Sequence, residues 1–170
     1  MSRSRITSHD RHVIAGAVAS ALVGLGMLHV SRVLTSPAHI RAAERRASLR
    51  FGSVSVLVHV ADTRQRRRAG LMDNVPESDT GELFAWHSDA ERHFWMWRTP
   101  AALDMIFLDG SGRVVDVLAS VPPCYVKPCA VFSERAHYAV EVPAGFATTA
   151  GVVDGMRVRG VLSANRAARS

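Results

Sequence analysis

A chain of 170 residues is long enough for one folded domain and a short additional segment, and 48% apolar with 21% charged residues is ordinary for a globular protein. The formal charge of +6 belongs to the N-terminal part: residues 1–50 hold eight arginines against two acids, whereas residues 51–170 hold thirteen basic and thirteen acidic residues. A domain without a positive surplus has no basic face to neutralise phosphates, so the charge argues against a nucleic-acid partner.

The N-terminal part contains an uncharged apolar stretch at residues 13–28. A helix of this length spans about 24 Å, less than the ~30 Å hydrocarbon core of a bilayer, and an extension to residue 34 reaches about 33 Å but includes His29 and Arg32. We therefore predict a hydrophobic helix within residues 1–38, apolar over 13–34, that contacts a membrane. It is either a single-span anchor or a signal peptide cleaved near Ser36-Pro37-Ala38, and the proline in that motif favours the anchor.

The side of the membrane on which the domain lies is a separate question. More arginines follow the apolar stretch than precede it, and by the positive-inside rule this favours a cytoplasmic domain. A signal-like segment instead implies export. We expect the domain at the cell membrane or in the periplasm or another extracytoplasmic compartment.

The only two cysteines, Cys124 and Cys129, bear on this question. They lie in a stretch with three prolines, which predicts a stiff loop. An even cysteine count beside an export-type segment favours a disulfide. Free thiols and a zinc site with His93 or His137 are the alternatives, but no second ligand pair with metal spacing occurs, so we predict no metal and no cofactor.

The remaining sequence divides into a basic connector at 39–52, a globular domain at 53–162 and a flexible tail at 163–170. Periodicity and turn residues predict helices at 64–72 and 144–150, and strands at 54–60, 83–86, 93–97, 105–108, 114–118, 137–142 and 157–162. This order predicts a mainly β (α+β) fold, a small barrel-like or rolled antiparallel sheet with two short helices.

A series of short motifs then carries a resemblance. In chain order the motifs are Val60-Ala-Asp-Thr63, Gly70-Leu-Met72, Gly81-x-Leu-Phe84, Phe94-Trp95-Met96-x-x-Thr99, Leu103-Asp104, Gly112-Arg-Val114-Val115, Pro122-Pro123-Cys124, Glu141-Val-Pro-Ala-Gly145 and Gly151-Val-x-x-Gly155. Over about residues 53–160 the chain resembles the domain of unknown function 192 family. The resemblance implies a small β-rich domain, often exported behind a signal or anchor, with no assigned activity.

The chain departs from the family pattern mainly at polar positions. Trp97 and Arg98 stand where the family has a charged residue and an asparagine, and Ala102 replaces a proline. Asp73-Asn74 occupy a shortened loop in place of an arginine. A retained scaffold with altered polar groups is what we expect of a binding or structural module.

Five residues are candidates for a binding site: Trp95, Trp97, Arg98, Asp104 and Glu141. In a strand, the two tryptophans lie on one face, where they would form a stacking platform if exposed. The alternative is that Trp95 is core and Trp97 packs under the loop at 87–92. Asp104, between apolar neighbours, is either paired or faces a pocket.

The first predicted helix carries a run of arginines at positions 64, 66, 67 and 68. This run is either a solvated helix face or a site for an anion or a lipid headgroup.

From these residues we expect a membrane-anchored or exported accessory domain that binds a ligand or partner near Trp95, Trp97 and Asp104 and shows no evident enzyme signature. One alternative is a hydrolase that uses Asp104 and Glu141 as its two carboxylates. Another is a purely structural envelope protein, which predicts no concave site.

Overall fold

The computed structural model describes residues 45–166. The hydrophobic segment predicted within residues 1–38 and the last four residues lie outside this range. Among the described residues, no helix is both long and apolar enough to cross a membrane. The described elements, in chain order, are β1 (Arg45–Phe51), β2 (Val54–Ala61), α1 (Arg64–Ala69), β3 (Thr80–Trp95), β4 (Leu103–Leu108), β5 (Val114–Val121), β6 (Val131–Pro143), α2 (Phe146–Thr149) and α3 (Val161–Arg166).

The six strands form one sheet in the order β1-β2-β3-β6-β4-β5. The predicted mainly β class is therefore confirmed. Two details differ from the prediction. The sheet is open and does not close into a barrel, and β2 and β3 pair in parallel while the other neighbours are antiparallel. The parallel pair is possible because residues 62–79, which include α1, form a connection long enough to return the chain to the same end of the sheet.

The C-terminal part also differs from the prediction of a last strand at 157–162. Residues 157–159 make only isolated bridges, Arg113 with Arg157 and Arg50 with Arg159. The chain then turns into α3, so the described domain has three short helices where two were predicted. Residues 163–166, which we expected in a flexible tail, belong to this helix.

Strand β1 was not predicted, and β3 was predicted as two separate strands. Residues 45–51, assigned to the connector, pair along their whole length with β2. The two short strands predicted at 83–86 and 93–97 are parts of the continuous strand β3, whose pairing with β6 is interrupted by a bulge between Ala85 and Ala90. Such a bulge inserts extra residues and disturbs the alternation on which a sequence-based prediction depends.

Hydrophobic clusters cover both faces of the sheet. We call one the α2 face, because Phe146 and Ala147 of α2 pack there against Ile106 and Val142. We call the other the Phe94 face, where Phe94 packs with Met105, Phe107 and Phe84. All six residues of β4 are buried, because alternate residues of this interior strand point into the two clusters.

Candidate functional site

The loop between β5 and β6 contains the two cysteines. Their sulfur atoms lie at disulfide distance, 2.04 Å apart, and the Cα atoms are 5.9 Å apart. The backbone of Cys124 holds this loop against the chain after β3, since its N–H donates to the carbonyl of Met96 at 3.2 Å and its carbonyl accepts from the N–H of Arg98 at 3.0 Å. The loop is therefore fixed beside both predicted tryptophans.

Large apolar side chains are exposed around this loop. The exposed fractions are 47% for Trp95, 59% for Tyr125, 81% for Val126 and 59% for Val131. Trp95 and Val131 are register partners at the end of the β3–β6 pair, and the other two belong to the cysteine loop. We call these four residues the Trp95 patch.

A groove of about 480 Å³ lies within the patch, lined by Trp95, Trp97, Lys127, Pro128, Cys129 and Val131. The Lys127 ammonium lies 4.5 Å from the centroid of the Trp97 ring. Since this cation covers one face of Trp97, Trp95 offers the more open ring. The structure thus places both predicted tryptophans at one surface, with Trp95 exposed and not in the core.

Arg98 is exposed and held by an acidic residue of the loop that follows α1. Its Nε donates to Asp73 Oδ1 at 2.9 Å, its Nη2 donates to the other oxygen, and its carbonyl accepts from the Asp73 N–H at 2.7 Å. This pair joins the loop after α1 to the turn after β3, so Arg98 connects two loops.

Asp104 does not join the tryptophans. Its side chain is buried on the α2 face, where Oδ1 accepts the N–H of Ser120 and Oδ2 accepts the N–H of Ala147, both at 2.8 Å. Each oxygen therefore satisfies a backbone donor that would otherwise be buried without a partner. We assign Asp104 to holding α2 and the end of β5 on the sheet, and the expectation that it contributes to the tryptophan surface was wrong.

Asp104 and Glu141 cannot act as a pair. Asp104 lies opposite Val142 and Met105 lies opposite Glu141 in the β4–β6 ladder. Because neighbouring residues of a strand point to opposite faces, the two carboxyl groups lie on opposite sides of the sheet. The hydrolase alternative built on these two residues is therefore wrong.

A different acidic residue faces Glu141. Glu82 of β3 is its direct partner in the β3–β6 ladder, so both side chains point to the Phe94 face. Glu82 is fully buried and Glu141 is 6% exposed. The backbones approach closely here, since a Cβ atom at the neighbouring Gly81 would lie 2.4 Å from the Glu141 carbonyl oxygen. Glu82 was not among the predicted site residues. The one sequence feature that indicates a special role is an acidic residue within an apolar segment.

Burial controls the protonation of Glu141. The loss of solvation raises the pKa of its carboxyl from 4.5 to about 8. At neutral pH the side chain is therefore mostly protonated, and it can donate a hydrogen bond as well as accept one.

Glu141 lines a cleft of about 340 Å³ that we call the α1 cleft. Its walls are α1, the turn at residues 70–72 and the outer half of β3, with Phe84 and Phe94 along the side and Thr99 at the edge. Trp86 lies between two guanidinium groups, with Arg67 at 5.5 Å and Arg92 at 4.5 Å from a ring centroid. A purely structural role was expected to go with the absence of a concave site. The α1 cleft is a concave site, so this expectation is not met.

The two guanidinium groups are fixed by backbone carbonyls. Arg67 Nη1 donates to the carbonyls of Asp62 and Ala85 at 2.7 and 2.8 Å. Arg92 Nε donates to the carbonyl of Ala136 at 3.2 Å, and Nη2 donates to that of Ser88. Carbonyls carry no net charge, and within residues 45–166 neither guanidinium group forms an ion pair, although Asp62 near Arg67 and Asp89 near Arg92 offset part of the positive charge.

Within residues 45–166, no group of three or more histidine, cysteine, aspartate or glutamate side chains could hold a metal ion.

Comparisons with known proteins place the fold and leave the activity open. The family model of DUF192, described as "Uncharacterized ACR", matches residues 47–160. A search of curated proteins finds no match. A Sinorhizobium meliloti protein of known structure, described as a putative transcription regulator, is 27% identical, with a TM-score of 0.61 over 69% of this chain and 94% of its own. A Novosphingobium aromaticivorans protein of unknown function is 23% identical, with a TM-score of 0.57 over 68% of this chain and 84% of its own.

Proposed function

The chain belongs to the DUF192 family, whose description assigns no activity, and we propose from its own surface that it is a non-catalytic accessory domain, exported or anchored at a membrane, that binds a protein partner through the Trp95 patch.

The observation that carries this proposal is the concentration of exposed apolar side chains. Eight large hydrophobic residues are exposed among the described residues, and four of them form the patch. Contiguous apolar surface of this kind is uncommon on monomeric proteins and marks interaction sites. Tryptophan and tyrosine are also the residue types that contribute most of the binding energy at protein interfaces.

The cysteine loop gives the patch a fixed shape before a partner arrives. A covalent link between Cys124 and Cys129 restricts the loop that carries Tyr125 and Val126. A surface that is already ordered loses less conformational entropy on binding, so more of the contact energy appears as affinity.

Two features support a location at or beyond the membrane. The apolar stretch at residues 13–28 is typical of a signal or anchor, and a cysteine pair at disulfide distance fits an oxidising compartment. Intact mass of the native protein from fractionated cells, with alkylation before and after reduction, tests both. A full-length mass in the membrane fraction with two free thiols would contradict export.

A protein partner is favoured over a nucleic acid. The Sinorhizobium meliloti protein is described as a putative transcription regulator, and this description applies to that protein alone. In this chain, residues 51–170 carry no net charge, and a nucleic-acid surface needs a positive surplus.

Site-specific photo-crosslinking tests the proposed surface. The full chain, expressed in cells of its native organism, carries a benzophenone amino acid in place of Val126 or, as the control, of Val153, which is 61% exposed after α2. We expect one discrete crosslinked protein from position 126, none from position 153, and a weaker product when Trp95→Ala is added. No product from position 126, or the same product from both positions, would contradict the proposal.

A further inference from the structure

We propose that the α1 cleft is a second binding site, distinct from the Trp95 patch although Trp95 borders both, for a small organic anion that has a carboxylate at one end, an aromatic or apolar body, and an oxygen acceptor at the other end.

The charge around the cleft selects an anion. Four arginines line it, Arg64, Arg67, Arg68 and Arg92, against two acidic residues, Glu91 and Glu141. Burial lowers the pKa of the Arg67 guanidinium, and the positive charge of nearby Arg92 lowers it further. Crowded cations of this kind are relieved by a bound negative charge.

Donors remain for such an anion. Both hydrogen bonds of Arg67 use Nη1, and those of Arg92 use Nε and Nη2. Within residues 45–166, Arg67 Nε and Nη2 and Arg92 Nη1 therefore have no hydrogen-bond partner. The carbonyl contacts hold each guanidinium in place while these N–H groups stay available, an arrangement suited to a carboxylate.

Glu141 supplies an independent indication of a ligand. It is more than nine-tenths buried, it lines the cleft, and its carboxyl makes no hydrogen bond or ion pair with any residue in the described range. Buried polar groups are normally satisfied, so this carboxyl lacks a partner that a ligand can provide. Being mostly protonated at neutral pH, it donates to a hydroxyl, ether or carbonyl oxygen and does not repel the anion.

The spacing of β3 sets the shape of the ligand. Glu82 and Phe84 are alternate residues of β3 before the bulge, and Trp86, where the bulge begins, stacks on Phe84 with ring centroids 6.1 Å apart, so the row extends over roughly 13 Å. The carboxyl pair lies at one end of this row and the guanidinium groups beside Trp86 lie at the other. Between them, Phe84 and Phe94 pack edge to face with centroids 5.4 Å apart and offer an aromatic wall. A volume of about 340 Å³ fits a single small aromatic acid.

Binding of 4-hydroxybenzoate to the full chain in detergent micelles, measured by isothermal titration calorimetry at pH 7, tests this inference. We expect saturable binding, with affinity at least about tenfold weaker for the neutral analogue 4-hydroxybenzamide. Equal affinity for the amide, equal affinity for inorganic phosphate, or no binding at millimolar concentration would overturn the proposal.

Variants locate the site. Arg92→Gln should weaken 4-hydroxybenzoate binding about tenfold, and Arg64→Gln a few-fold. Arg64 is exposed and makes no hydrogen bond with the described residues, so its variant keeps the test valid if Arg92→Gln fails to fold. Arg157→Gln, remote from the cleft lining, is the matched control and should bind as the wild type does. Unchanged affinity in Arg64→Gln, or an equal loss in Arg157→Gln, would overturn the assignment.

The proposals for the Trp95 patch and for the α1 cleft can be contradicted independently of each other. Tyr125→Ala, which changes a patch residue outside the cleft lining, should leave 4-hydroxybenzoate affinity unchanged while it reduces crosslinking from position 126. A loss of affinity in Tyr125→Ala would contradict a distinct site in the α1 cleft.

Discussion

Replacement of Glu141 by glutamine should stabilise the domain above pH 5, and increasingly so up to pH 8. Burial raises the pKa of this carboxyl from 4.5 in the unfolded chain to about 8 in the folded domain. Between these values the folded state holds a proton that the unfolded state has released, so the free energy of unfolding falls as pH rises. Each pH unit in this window costs about 1.4 kcal/mol, which amounts to roughly 3 kcal/mol by pH 7.

Glutamine has nearly the same shape and does not titrate. The comparison therefore isolates Glu141, because the other titratable groups contribute almost equally to both proteins.

Urea unfolding of the full chain in detergent, followed by circular dichroism from pH 5 to pH 9, provides the measurement. The difference between Glu141→Gln and wild type should rise with pH and level off above about pH 8. Glu77→Gln, at an exposed loop position, is the control and should leave the free energy of unfolding close to that of the wild type. A flat difference for Glu141→Gln, or a variant less stable than wild type at every pH, would refute a neutral buried carboxyl.

Three further substitutions test the fold around the sites by urea unfolding. Asp104→Ala should cost about 3 kcal/mol, because the N–H groups of Ser120 and Ala147 both lose their acceptor, and a cost below about 1 kcal/mol would contradict its anchoring role. Phe94→Ala should cost about 3 kcal/mol or more while the neighbouring Trp95→Ala costs less than about 1 kcal/mol, and similar costs would show that the two faces of β3 are assigned incorrectly. Gly81→Ala should cost about 1–3 kcal/mol, since its Cβ would lie 2.4 Å from the Glu141 carbonyl oxygen, and wild-type stability would contradict that close approach.

Local pattern was enough to predict most of the strands. Val54, Val56, Val58 and Val60 alternate with other residues, and the structure buries the last three of these valines on one face of β2. The strand β1 has the same period of two in Ala47, Leu49 and Phe51, but the three arginines of the same segment suggested a charged connector. The alternation of its inward-facing residues therefore indicates a strand, whereas the number of charged residues favoured a connector.

The candidate site depended on register, which the sequence does not reveal. Strand β6 lies between β3 and β4, although it follows both in the chain. This non-sequential order places Glu141 opposite Glu82 and on the other side of the sheet from Asp104. The sequence identified Asp104 and Glu141 but could not show which of the three acids face each other. A shift of one residue in the register moves a side chain to the opposite face of the sheet.

The tryptophans were predictable as a surface feature, whereas the α1 cleft was not. Alternation around Trp95 already required one bulky face to be at least partly open. The cleft instead joins arginines of α1 to Arg92, which the chain separates by more than twenty positions. Only the parallel return of the chain from β2 to β3 brings these residues together.

The affinity of the protein crosslinked from position 126 tests the central claim most directly. Its dissociation constant should be about tenfold or more higher for Trp95→Ala than for wild type, since an exposed tryptophan at the centre of a docking surface contributes a large share of the binding energy. Leu57→Ala, which changes a 39%-exposed residue of β2 outside the patch, should bind as the wild type does. Equal affinity of Trp95→Ala and wild type would contradict docking through the Trp95 patch.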